Sequence, residues 1–149
     1  MSSAPSSTIT KTPLHLWVVG ALSLLWNSMG AADYSMTQLQ VEAYMSQFSQ
    51  EQLAYFYSFP AWTNAAWAVG VWGSVTGSVG LLLRKRWAQW AFAASIGGLL
   101  GTSLYTMVLT NGIAVMGGTG PLLFSVVIWA FTIALFFYAR AMARRGVLR

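Results

Sequence analysis

PAWTNAAWAVGVWGSVTGSVGLLLRKRWA, residues 60–88, is the stretch whose reading decides the fold. From Pro60 to Leu83 it carries no charge, and it stops against three consecutive cations, Arg84, Lys85 and Arg86. About 20 apolar residues carry a helix across the hydrocarbon core of a bilayer. Lipid offers no partner for an unpaired backbone group, so a helix is the natural form for such a run. Pro60 stands at the start, where its missing N–H costs nothing. The segment therefore reads as a membrane-spanning helix that ends on a basic turn.

Working outward, the same pattern recurs three times. Leu14 to Met36 reads LHLWVVGALSLLWNSMGAADYSM, interrupted most strongly by His15, Asn27 and Asp33. A third run extends from Trp87 to Leu109, and a fourth from Pro121 to Ala139, closed by Arg140, Arg144, Arg145 and Arg149. Composition agrees: 56% of the chain is apolar and 7% charged, against about 25% charged in soluble domains. The expected fold class is all-α, a four-transmembrane-helix bundle with short amphipathic helices in its first external loop. Its expected parts are a disordered tail (1–13), spans at 14–35, 60–83, 87–109 and 121–139, external loops at 36–59 and 110–120, a basic turn at 84–86 and a basic tail at 140–149.

The charges set the expected orientation. Every Lys and Arg except Lys11 lies in the 84–86 turn or from Arg140 onward, whereas Asp33, Glu42 and Glu51 are all the acids there are. Basic loops stay on the cytoplasmic side, so both termini are expected inside, in the inner membrane of a bacterium. One competing topology treats residues 1–32 as a signal peptide with Gly30-Ala31-Ala32 as its cleavage site; three spans would remain in the same orientation. The net charge of +5 does not point to nucleic acid, because no soluble segment interleaves basic and aromatic residues.

The first loop has structure of its own. Val41, Tyr44, Met45 and Phe48 recur at helical spacing, and Ser49 with Gln52 fits a capping box that opens a second short helix. Leu53, Phe56 and Tyr57 then share a face. Tyr34, Tyr44, Tyr55, Phe56, Tyr57, Phe59 and Trp62 crowd the same end, as an interfacial belt does and as a platform for a sugar or a cation also would.

Inside the spans, small residues are spaced for close helix contact. They are Ala66, Gly70, Ser74 and Ser78, with Gly73 and Gly77, in the second span, and Ala94 with Gly98 and Gly97 with Gly101 in the third. Asp33 draws attention because a carboxylate in a span is costly unless it functions, although its place near the end of the run also suits an interfacial acid. Asn27 is deeper and suits an interhelical hydrogen bond. Asn27, Asp33, Tyr34, Asn64 and Trp67 are the expected substrate-binding residues if the chain binds a small polar solute.

Several chemistries find no support. The chain has no Cys, which removes disulfides and thiolate metal or iron–sulfur sites. A lone His15 makes neither a haem site nor a Ser–His–Asp set, and no Glu-x-x-His pair suggests a di-iron bundle. The MGGTG stretch at Met116–Gly120 precedes a span, so it reads as a turn rather than a phosphate cradle. Neither enzyme activity, a metal nor a cofactor is expected.

Leu16–Gln38 (LWVVGALSLLWNSMGAADYSMTQ), Gln52–Trp62 (QLAYFYSFPAW) and Leu81–Ala88 (LLLRKRWA) resemble a family of small four-helix inner-membrane proteins of alphaproteobacteria, some of which carry the label sugar transporter. The resemblance implies the four-helix fold and hints at solute transport, and it brings no catalytic residues with it. Small multidrug transporters, also four-helix proteins, place a Glu deep in the first span; here that depth holds Ser23 and Asn27. Two functional expectations follow. One is a small-solute carrier, sugar-like in its cargo, acting as a homo-oligomer. The other is a non-catalytic accessory or scaffold subunit of a larger membrane complex.

Overall fold

Four apolar runs become four long helices in the computed structural model, which describes residues 11–149. The first ten residues of the expected N-terminal tail lie outside the described residues. Helix α1 spans Leu14–Gln38, α4 Ala61–Leu82 and α7 Thr119–Arg144. The third span is α5, Ala88–Ser103, continued by a π-helical stretch over Leu104–Leu109. All four are long and apolar enough to cross a membrane. The chain is an all-α, four-span bundle. Many large apolar side chains face outward, Leu22, Leu25, Val108, Leu123 and Phe137 among them, as a lipid-facing surface requires.

The helices outrun the sequence expectation at two ends. The first span continues from residue 35 to Gln38, and the fourth from 139 to Arg144, because hydrogen bonding does not stop where hydrophobicity does. At 25 residues α1 is about 37 Å long at 1.5 Å per residue, longer than the roughly 30 Å hydrocarbon core. Helix α7 starts two residues before Pro121, at Thr119. Pro121 still falls in the first turn, whose N–H groups have no partner within the helix.

Chain reversals at both ends of the bundle use one device. After α1, Gln40 takes a left-handed conformation, and Val41 N–H donates to Met36 O. After α4, Arg84 does the same, and Lys85 N–H reaches Gly80 O. After α7, Gly146 turns the chain, and Val147 N–H reaches Met142 O. These are Schellman caps, which pair carbonyls that a helix end otherwise leaves unbonded.

Neighbours in the bundle are α1 with α4, α4 with α5, and α5 with α7. Glycine sets the α4–α5 contact. A Cβ on Gly98 would strike the Ala66 carbonyl and the Gly70 backbone, and one on Gly77 would sit 2.7 Å from the Phe92 ring. Gly97 faces open space, so the expected Gly97-xxx-Gly101 pair does not act as a unit, although Gly101 does meet Ala66. Large side chains join α7 to α1: Trp26 stacks on Phe131 with centroids 5.0 Å apart, and His15 Nδ1 lies 2.5 Å from the Tyr138 hydroxyl.

The core concentrates at the basic end. Leu16, Leu81, Ala88, Phe92, Leu135 and Met142 are buried there with Val147 and Leu148. The last residues are therefore a folded element rather than a loose tail. Arg149 N–H donates to Arg84 O at 2.8 Å, and Arg86 N–H donates to Arg149 O at 3.0 Å.

Candidate functional site

The opposite end, rich in aromatic residues, carries most of the residues expected to bind a solute. The first loop forms two short helices, α2 (Glu42–Met45) and α3 (Gln50–Tyr57). The capping box expected at Ser49 and Gln52 is present: Ser49 Oγ accepts from Gln52 N–H at 3.2 Å, and Gln52 Oε1 accepts from Ser49 N–H at 3.1 Å. The helical stripe expected from Val41 to Phe48 forms only one turn, because α2 ends at Met45 and the chain turns before Ser49.

Aromatic packing makes the loop a cap. Tyr44 meets Phe48, Phe48 meets Phe56, Tyr55 and Phe56 meet Phe59, and Phe59 meets Tyr105 at 5.1 Å. Such edge-to-face pairs add about 0.5–1.5 kcal/mol each beyond area burial. The Tyr55 hydroxyl lies 2.7 Å from Thr110 Oγ1, just past the π-helical stretch, and Gln52 Nε2 donates to Val115 O in α6 (Gly112–Met116). Burial pushes the Tyr55 phenol up, partly opposed by the Thr110 contact. The residues after Met116 expected to turn do so, with Gly117 and Gly118 both at positive φ.

Asp33 sits where α1 emerges beneath this cap, and its Oδ1 accepts a hydrogen bond from the Tyr44 hydroxyl. Burial, and then the adjacent carboxylate, raise the Tyr44 phenol above its ordinary range. Tyr44 therefore stays a donor at any physiological pH. Nothing in the sequence marked Tyr44 as the partner of Asp33; eleven positions separate them, and only the reversal at Gln40 brings α2 back over α1.

The remaining expected residues divide. Tyr34 packs edge-on against Trp67, centroids 5.0 Å apart, and Phe59 meets Trp67 at 6.1 Å in a tilted arrangement. Asn64 Oδ1 accepts from Gln38 Nε2 at 3.0 Å, and its amide donates to Phe59 O. Asp33, Tyr34, Asn64 and Trp67 thus share the aromatic end. Asn27 does not: it lies two turns deeper on α1, about 10 Å away along the axis.

Asn27 belongs instead to a polar thread through three helices. Its amide donates to Ser78 Oγ at 2.9 Å and to Ser74 O at 3.3 Å. Ser23 Oγ lies 2.9 Å from Ser78 Oγ. Ser74 Oγ is 2.5 Å from Ser95 Oγ on α5, which donates to Gly70 O at 2.6 Å. Ser23, Asn27, Ser74, Ser78 and Ser95 are all buried. The sequence carried the signal: Ser23 with Asn27, and Ser74 with Ser78, are each one turn apart and match in spacing. Reading Ser74 and Ser78 only as small residues hid it.

None of the five expected residues lines either of two grooves on the bundle, one of about 250 Å³ between Ser28, Ala31, Ala32, Ser35, Trp72 and Val75, the other of about 550 Å³ at the basic end of α7. Among the described residues no three His, Asp or Glu side chains gather to hold a metal. No family model matches the chain, and neither does any curated protein or solved structure. Fold and geometry define its class: a four-span membrane protein with an aromatic cap at one end and a basic plate at the other.

Proposed function

We propose that the chain is a non-catalytic accessory subunit of a larger membrane assembly, with its cap as the docking surface. The observation that carries this is how the expected binding groups are engaged. Asn27 bonds to Ser74 and Ser78, Asp33 to Tyr44, and Asn64 to Gln38 and Phe59. A solute would have to displace these intramolecular hydrogen bonds to reach the groups that make them. The outer face of the cap, in contrast, leaves apolar Leu39, Val41 and Tyr57 exposed beside the exposed Glu42 and Glu51. Exposed apolar and aromatic side chains among charged ones suit protein contact. We place the cap outside and the basic plate in the cytoplasm of a bacterial inner membrane, by the asymmetry of Lys and Arg.

A small-solute carrier acting as a homo-oligomer is the second reading. The π-helical stretch at Leu104–Leu109 favours it, since such stretches often mark functional sites, and the family resemblance points the same way. Photo-crosslinkers at Val41, Ser46 and Tyr57 in the native membrane separate the two. The docking reading expects adducts with one or two other proteins from these positions and none from lipid-facing Leu22 or Leu123. Adducts only between copies of this chain, from any face, would favour the carrier.

A further inference from the structure

The basic end gathers Arg84, Lys85, Arg86, Arg140, Arg144, Arg145 and Arg149, and every acid lies at or beyond Asp33 toward the other end. The plate is rigid, because Arg149 is hydrogen-bonded to both sides of the 84–86 turn and Val147 and Leu148 are buried beneath it. No carboxylate side chain is available to neutralise it. Arg84 Nε is itself buried without an acceptor. On α7, Arg140 and Arg144 are one turn apart, a like-charge pair that destabilises a helix when nothing bridges it. Between them and Arg145 runs a groove of about 550 Å³, floored by Ala141 and flanked by Phe137.

We propose that this groove holds the phosphate headgroup of an anionic glycerophospholipid. Its chemistry is divided as such a lipid is. Phe137, one turn deeper than Arg140 and largely exposed, faces the acyl region, while the three guanidinium groups stand at headgroup level. Guanidinium binds phosphate through paired N–H donors, and basic clusters just beyond a membrane span attract anionic lipid. The negative end of the α7 dipole opposes an anion there, but the cap through Gly146 and Val147 already pairs the last carbonyls, and three full positive charges outweigh that half charge. A free phosphate would leave Phe137 without a role.

The test is native mass spectrometry of the full chain released from micelles containing phosphatidylglycerol and phosphatidylcholine at equal concentration. Wild type is expected to retain phosphatidylglycerol preferentially, roughly tenfold or more. Arg140→Gln with Arg144→Gln should bring the two lipids to parity. Lys85→Gln with Arg86→Gln removes the same charge outside the groove and should keep the preference. Phe137→Ala, with all charges in place, should reduce retention of both lipids. Equal loss in the two double variants would mean diffuse charge and no site, and no preference in wild type would also overturn the proposal. Displacement of the bound lipid by inorganic phosphate would reduce the groove to a simple anion site and overturn it as well.

Discussion

Tyr44 and Asn27 hold the two polar features that the bundle protects, and each can be tested alone. Tyr44→Phe removes the donor to Asp33 and leaves a partly buried carboxylate unpartnered, at a cost of about 1–3 kcal/mol. That cost is expected as faster amide hydrogen exchange across residues 39–48, with exchange in α4 and α5 unchanged. Equal protection in both proteins would mean that the clasp contributes nothing. The raised phenol of Tyr44 also sets a pH dependence. Its contribution is complete below its ordinary value of 10.0 and is lost as pH rises above that, because the unfolded loop ionises while the docked loop resists. Titration of phenolate absorbance should therefore lose one late-ionising component in Tyr44→Phe. Asn27→Ala should cost about 1 kcal/mol in detergent unfolding, whereas Ser28→Ala, on the exposed side of the same turn, should cost nothing measurable. Asn27 was legible as an interhelical donor from its depth in an apolar run. Its partners were not, because pairing across helices depends on rotation and register that one sequence does not encode locally.

At the scale of elements, the helices were legible because lipid enforces them: any apolar run of this length must bond to itself. Where they end was less so. The π-helical stretch over Leu104–Leu109 left no mark in residue type, and its Thr110 N–H pairs with Tyr105 O only in the folded chain. The α4–α5 seam was half legible. Both small-residue pairs in the third span have the right spacing, yet Gly98 faces α4 and Gly97 does not. That difference makes an internally controlled prediction. Gly98→Ala forces the Ala66 and Gly70 backbones away and should destabilise the bundle by about 2 kcal/mol. Gly97→Ala meets nothing, and should be neutral or mildly stabilising through helix propensity. Denaturation of both variants in one detergent decides it; equal effects would place the seam elsewhere.

For the whole molecule, the sequence made the polarity plain, because acids and bases segregate so fully, and it left the function open, because function here depends on which groups remain unengaged after folding. Asp33, Asn64 and Asn27 have the chemistry to bind a solute, and in the fold each is hydrogen-bonded within the chain. Since the chain has no Cys, single cysteines report its orientation without background. Ser46→Cys should react with an impermeant maleimide in intact cells, and a cysteine appended after Arg149 only after permeabilisation. The most direct test of the docking account is the native mass of the full chain extracted in mild detergent from its own membrane, with each co-purifying chain identified. The account predicts a defined complex with other subunits, lost when Val41 and Tyr57 are both changed to Glu. A homo-oligomer of this chain alone, unaffected by those changes, would contradict it.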